Sequence, residues 1–206
     1  MTQRANLFVF AAPSGGGKTS LVNALLAEMP GIEPSISHTT RPMRGEEQNG
    51  QHYHFVSEAI FSQMLQADEF IESATVFSHQ YGTSKQQISQ RLSQGIDVLL
   101  DIDWQGARQL KALYDNVVTI YILPPSVNAL RARLQGRKTD DEQTIQYRMN
   151  KAKHEMVHYK EFDYLLINDD FQDTLQSIKH IILAERLKCP LQALKHQTII
   201  SDLLDK

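Results

Sequence analysis

The chain of 206 residues has a single cysteine, Cys189, so no disulfide can form within it and a reducing compartment is expected. Long apolar runs are missing as well. Met1-Thr2-Gln3-Arg4 leads into a run of only six apolar residues, Leu7 to Ala12, too short for the core of a signal peptide or for a membrane span. A cytoplasmic protein with no membrane partner is the expectation. Nor is there an excess of one charge. Lys and Arg number 21 against 24 Asp and Glu, a net charge of −3, which gives no electrostatic reason to expect a nucleic acid or an anionic surface as partner. Any basic site must be local. Internal repeats and low-complexity segments are absent too. What the chain does have is a hydrophobic content of 41%, enough to build a core without covalent staples, at a length of one ordinary domain or a core with small inserted lobes.

The pattern along the chain reads as α/β. Leu7 to Ala12 suits a buried parallel strand; a glycine-rich turn and a helix from Lys18 to about Met29 follow, stopped by Pro30-Gly31. From Glu33 to Gly95 the character changes to short polar strands (Ile36 to Arg41, Tyr53 to Val56, Phe70 to Phe77) and two amphipathic helices near 57–67 and 84–94. This stretch reads as a small α+β lobe inserted into the core. The α/β rhythm then returns, with strands at Ile96 to Ile102, Val117 to Leu123 and Tyr164 to Ile167, and helices at Gln105 to Leu113, within Ser126 to Lys160, and after Ile167 to about Lys188. Strands alternating with helices predict right-handed crossovers and a parallel sheet flanked by helices. Leu191, Leu194, Ile199, Leu203 and Leu204 predict one further amphipathic helix in the tail, packed on the core or on a second subunit.

Two short patterns carry chemistry. Ala12-Pro13-Ser14-Gly15-Gly16-Gly17-Lys18-Thr19 fits a phosphate loop whose first glycine is alanine. Glycines let backbone N–H groups turn inward around a phosphate, and the next helix adds its positive end. Lys18 would reach the β- and γ-phosphates, and the Thr19 hydroxyl would hold Mg²⁺. His154-Glu155-Met156-Val157-His158 fits the H-E-x-x-H pattern of zinc peptidases. As bare strings the two are about equally surprising, roughly 1% and 2% by chance in this composition, so context must decide. The loop lies between a buried strand and a helix, as its chemistry demands. The histidine pair has no clear third ligand and basic neighbours in Arg148, Lys151, Lys153 and Lys160, so it reads as a solvated helix face.

Further motifs follow in order: Ser37-His38-Thr39-Thr40-Arg41-Pro42-Met43-Arg44, Asn49-Gly50-Gln51-His52-Tyr53, Phe70-Ile71-Glu72, Tyr81-Gly82-Thr83, Asp101-Ile102-Asp103-Trp104-Gln105-Gly106, Arg133-Leu134-Gln135-Gly136-Arg137, Arg148 and Asn168-Asp169-Asp170. With the phosphate loop, this series resembles the guanylate kinase family from about Leu7 to Arg186. Taken singly, Arg41 or Glu72 would read as a surface charge and Tyr53 or Tyr81 as packing. Their arrival together is what carries the resemblance.

The resemblance implies a nucleoside monophosphate kinase on a phosphate-loop sheet, moving the γ-phosphoryl group of ATP to GMP with Mg²⁺. Whether dGMP also serves is left open. Ser37, Glu72 and Thr83 would face guanine; Arg41, Arg44, Tyr53 and Tyr81 would hold the GMP phosphate, with Asp103 near. Asp101 would reach the metal through water. Arg137 and Arg148 would be lid arginines, Asn168 and Asp169 would lie by the adenine, and Lys18, Arg44, Arg137 and Arg148 would carry catalysis. The implied division is a nucleotide-binding core of residues 1–35, 96–136 and 161–188, a GMP lobe 36–95, a lid 137–160 and an extension 189–206. A phosphopeptide-binding module of the same shape and a kinase of phosphorylated sugars are the rival readings. The intact Gly15-Gly16-Gly17-Lys18-Thr19 opposes the first, and Glu72 with Ser37 and Thr83 opposes the second. The chain departs from the family pattern at Ala12, at Glu46, where glycine is common, and at Lys138 after Arg137.

Overall fold

Leu7–Ala11 (β1) is buried at all five positions, as expected of a strand covered on both faces. The computed structural model describes residues 5–76, 78–114, 116–136 and 141–204. After β1 come α1 (Lys18–Glu28), β2 (Ile32–Pro34), β3 (His38–Thr39), β4 (His54–Phe55), α2 (Glu58–Gln66), β5 (Phe70–Val76), β6 (His79–Ser84) and α3 (Lys85–Ser93). Then follow β7 (Asp97–Asp101), α4 (Trp104–Leu113), β8 (Val117–Leu123), α5 (Val127–Gln135), α6 (Glu142–Met156), a 3₁₀ turn (Val157–Glu161), β9 (Tyr164–Ile167) and α7 (Phe171–Arg186). The chain continues into α8 (Cys189–Lys195) and α9 (Gln197–Leu204).

One sheet has the order β2-β7-β1-β8-β9, and every pairing in it is parallel. Because side chains alternate, Phe8 and Phe10 face one side, with Leu21 and Leu25 of α1 and Leu175, Ile178 and Ile182 of α7. Leu7 and Val9 face the other, with Ile88 and Leu92 of α3 and Leu110 of α4. A second, four-stranded sheet runs β4-β3-β6-β5, parallel between β3 and β4 and antiparallel elsewhere. A third cluster (Leu130, Leu134, Ile145, Met149, Ala152) joins α5 to α6. No helix among the described residues is long and apolar enough to cross a membrane.

The elements differ from the sequence expectation where polarity hides a strand. The predicted strand over Ile36 to Arg41 shortens to His38–Thr39, and Ile32–Pro34 is instead an edge strand of the parallel sheet. His79–Ser84, unforeseen, is mostly polar, yet it pairs on both sides, with β3 and β5. The charged stretch 126–160 divides into α5, α6 and the 3₁₀ turn.

The tail corrects the expectation in its number of helices and in its packing on the chain's own core. It forms two short helices rather than one, and Leu194, Ile199, Leu203 and Leu204 remain 37%, 57%, 78% and 72% exposed. Apolar spacing makes a helix amphipathic but supplies no surface to receive it, and α7 has already used its apolar stripe on the sheet. Since α9 buries no residue, a chain ending at His196 is expected to melt within about 2 °C of the full chain, measured by calorimetry. A drop of 5 °C or more would show that α9 is packed.

Candidate functional site

Three groups of side chains meet where the strands of the parallel sheet end. The first is the phosphate loop between β1 and α1. Gly16 N–H bonds Pro13 O at 2.9 Å and closes the turn. Gly17 stands at φ 92°, and a Cβ there would lie 2.3 Å from Asn168 Nδ2, so this position requires glycine on both counts. Among the described residues, only Asp68 and Ser78 are non-glycines with positive φ; Ala12 therefore sits in an ordinary conformation and packs against the core. Lys18 Nζ donates to Ile102 O at 3.2 Å and pairs with the carboxylate of Asp101 at the end of β7. The Thr19 hydroxyl lies on the exposed first turn of α1.

Beside the loop is a cavity of about 320 Å³ lined by Gly15, Gly17, Ser20, Asn168, Asp169 and Phe171, together with Arg133. Asn168 Nδ2 donates to Gly16 O at 2.9 Å, and Arg133 Nη2 donates to Asn168 O at 2.8 Å. In sequence, Arg133 is marked only by its place four residues before Arg137 in Arg133-Leu134-Gln135-Gly136-Arg137, a spacing that does not by itself assign it to this cavity. Arg137 and Lys138 lie outside the described residues. Arg148 is half-buried on α6.

The second group surrounds Glu72, which is 4% exposed. A register shift between Phe70 and Glu72 turns the carboxylate toward Thr83, its partner across β5 and β6. Thr83 Oγ1 donates to Glu72 Oε1 at 2.6 Å, and the Ser37 hydroxyl lies 3.0 Å from Thr83 Oγ1. Gly106, in the first turn of α4, lets the carboxylate approach, since a Cβ there would sit 2.6 Å from Glu72 Oε2. Asp103 caps that helix, accepting from Gln105 N at 2.9 Å and Gly106 N at 3.1 Å. Burial, which the charge of Asp103 reinforces and the Thr83 bonds only partly offset, pushes the Glu72 carboxyl up to about 7.

The third group is basic and aromatic. Arg41, only 6% exposed, lies over the rings of Tyr53 and Phe55, with Cζ 5.4 and 5.7 Å from their centroids. Tyr53 meets Tyr81 edge to face at 5.8 Å. Burial, with the nearby charge of Asp101, pushes the Tyr53 phenol up to about 12, so it stays a proton donor. Glu47, which the sequence reading passed over, bonds Arg41 Nη2 at 2.7 Å and the Arg44 backbone N–H at 2.8 Å. The Arg44 side chain is exposed, and the positive φ of this turn, 47°, falls on Gly45 rather than on Glu46. Tyr81 and Thr83, two apart on β6, share one face, so the second and third groups adjoin.

His154 and His158 do not act as a pair. The α-helix ends at Met156, and the tighter 3₁₀ turn breaks the four-residue register. His154 is exposed, while the His158 ring stacks on Trp104 at 3.6 Å and bonds Glu161 at 2.8 Å. Among the described residues, no three His, Cys, Asp or Glu side chains gather as a metal site.

Comparison with known proteins bears on this arrangement. The family profile described as guanylate kinase matches residues 4–185. The chain belongs to the guanylate kinase family. A relative named guanylate kinase from Legionella pneumophila (strain Lens) is 50% identical over 199 residues, covering 97% of this chain and 95% of the relative. Another of that name, from Haemophilus ducreyi (strain 35000HP / ATCC 700724), is 52% identical over 201 residues, 97% of this chain and 98% of its own. The crystal structure of guanylate kinase from Anaplasma phagocytophilum is similar at a TM-score of 0.77 and 32% identity, over 92% of this chain and 90% of that one. The parallel sheet with flanking helices is thus shared with a solved member of the family.

Proposed function

We propose that the chain transfers the γ-phosphoryl group of ATP to the phosphate of GMP, giving ADP and GDP. One observation carries the reading beyond family membership: a buried carboxylate, Glu72, ringed by hydroxyls, with no cation among its described partners. Such a group wants donors, and the Watson–Crick edge of guanine presents two side by side, N1–H and the N2 amine. The base would lie against Glu72, Thr83 and Ser37 and its phosphate against Arg41, Arg44, Tyr53 and Tyr81, with Asp103 beside it. ATP would lie along the phosphate loop, its base toward Asn168 and Asp169.

In the transfer, an oxygen of the GMP phosphate forms a bond to the γ-phosphorus as the bond to the β-phosphate oxygen breaks. That oxygen is already largely ionised near neutral pH, so no general base is called for. Catalysis is then positioning and charge neutralisation, by Lys18 on the donor side and by Arg44, Arg137 and Arg148 around the moving group. The oxygens of Thr19 and Asp101 suit a hard cation, and Mg²⁺ bound with ATP would neutralise phosphate charge there. Thr19 would hold it directly and Asp101 through water.

The working division is a core of residues 1–35, 96–136 and 161–188, a GMP lobe 36–95 and a lid 137–160, with 189–206 as an extension; the protein would act in the cytoplasm. A coupled assay with ATP and a panel of nucleoside monophosphates tests the activity. GMP is expected to be used with AMP, CMP and UMP slower by at least about 10³-fold, and a chelator is expected to abolish turnover until Mg²⁺ is restored. Equal use of AMP would overturn the reading.

A further inference from the structure

Arg41 lies in a cluster that would meet an anion, yet it already faces one. Glu47 Oε1 accepts from Arg41 Nη2 at 2.7 Å, while Oε2 accepts the Arg44 backbone N–H at 2.8 Å. The Glu47 backbone N–H donates in return to Arg44 O at 2.9 Å. Arg41 Nη1 donates to Pro42 O at 2.8 Å, and the guanidinium lies over Tyr53 and Phe55. A guanidinium has five N–H donors in one plane. Here the chain itself engages part of that plane, and the aromatic rings limit its tilt. The donors that remain are few and fixed in direction.

An acidic side chain beside an anion site has two possible effects, and they differ in sign. By Coulomb's law alone, Glu47 opposes a phosphate, and removing it would tighten binding. By geometry, it ties the arginine head to the backbone three residues on, so that Arg41 and Arg44 converge from one short turn. A flexible arginine has rotamer freedom to lose on meeting a phosphate, and a held one does not. The arrangement favours the second effect, because one carboxylate bonds both the Arg41 head and the Arg44 main chain. Arg41 and Glu47 also hold each other charged: the hydrogen bond lowers the carboxyl and raises the guanidinium.

We propose that Glu47 is a positioning residue that aims Arg41, and through its backbone Arg44, at the phosphate of the acceptor nucleotide. This rests on the GMP reading above. The test compares binding of GMP and of guanosine, which lacks the phosphate, to the wild type, Glu47→Gln, Glu47→Ala and Glu47→Asp by calorimetry, alongside steady-state kinetics. In Glu47→Gln and Glu47→Ala, GMP is expected to bind at least about tenfold more weakly and its KM to rise in step, because the arginine loses a charge-assisted partner. Guanosine binding and the KM for ATP should stay within about twofold, and Glu47→Asp, which keeps the carboxylate, should recover part of the loss. Unchanged or tighter GMP binding would overturn the proposal and leave only the Coulomb effect. An equal loss for guanosine would overturn it too, by showing a general disturbance of the lobe. A wild type that binds GMP no better than guanosine would instead refute the acceptor reading, and the proposal with it.

Discussion

Lys18→Ala is expected to lower turnover by about 10³-fold or more while the protein remains folded. Lys18 begins α1, where its backbone belongs to the phosphate loop and its side chain is 18% exposed. Its ammonium is held by Asp101 and Ile102 O at the end of β7, the strand that pairs with β1. A positive charge at a helix N-terminus opposes the helix dipole, so the fold does not call for it. In the proposed transfer its value would lie in the charge that grows on the β- and γ-phosphate oxygens as the γ-phosphoryl group leaves. Lys18→Ala also leaves the Asp101 carboxylate without that partner, which adds negative charge where phosphates must come. Rapid-quench measurement of the transfer step, with circular dichroism and melting as controls, separates chemistry from folding. A folded Lys18→Ala protein with near-wild-type turnover would sink the phosphate-loop assignment.

The second large effect concerns Glu72, and it has a pH signature. The wild type should prefer GMP over AMP by a factor on the order of 10⁴, because adenine sets an unprotonated N1 against a buried carboxylate. Glu72→Gln, with one acceptor fewer, should narrow that gap by at least about tenfold and raise the KM for GMP far more than that for ATP. The carboxyl titrates at about 7, and guanine needs its ionised form. Acidification through pH 7 should therefore weaken GMP binding by up to about tenfold per pH unit. The phosphate of GMP also takes up a proton near pH 6, so the quantity to plot is the ratio of wild type to Glu72→Gln, in which that contribution cancels.

Stability should move in the opposite sense. A carboxyl that titrates higher folded than unfolded favours the folded state below its unfolded value of 4.5, and that favour is lost as pH rises through about 7. The loss is on the order of 3 kcal/mol above pH 8. Glu72→Gln is thus expected to raise the melting temperature at pH 8 and to change it much less at pH 5. A GMP-binding ratio flat from pH 5.5 to 8.5, or selectivity untouched in Glu72→Gln, would refute the guanine assignment.

Local signals survive in sequence because they depend on near neighbours. By itself the sequence determined the buried strand before the glycine loop, the alternation of strands with helices, and the order of motifs that marks the family. Polar Ser37, Glu72 and Thr83 were legible through that order, since nothing in their own segments distinguishes them from surface residues. Tertiary structure alone decided that His79–Ser84 is a strand, because its pairing with β3 and β5 comes from residues far along the chain and its composition is polar. It decided the shift at Ile71 that turns Glu72 inward, and the bare Gly106 that lets the carboxylate sit against α4. The upward titration of Glu72 follows from desolvation, a property of everything packed around it rather than of the residue. The same holds for Arg133 bridging to Asn168, for Glu47 tying Arg41 to Arg44, and for the tail, whose apolar spacing is plain in sequence while the surface to receive it is not. Spacing along the chain picks out the candidate groups; burial, which sums over the whole fold, sets their charge and their direction.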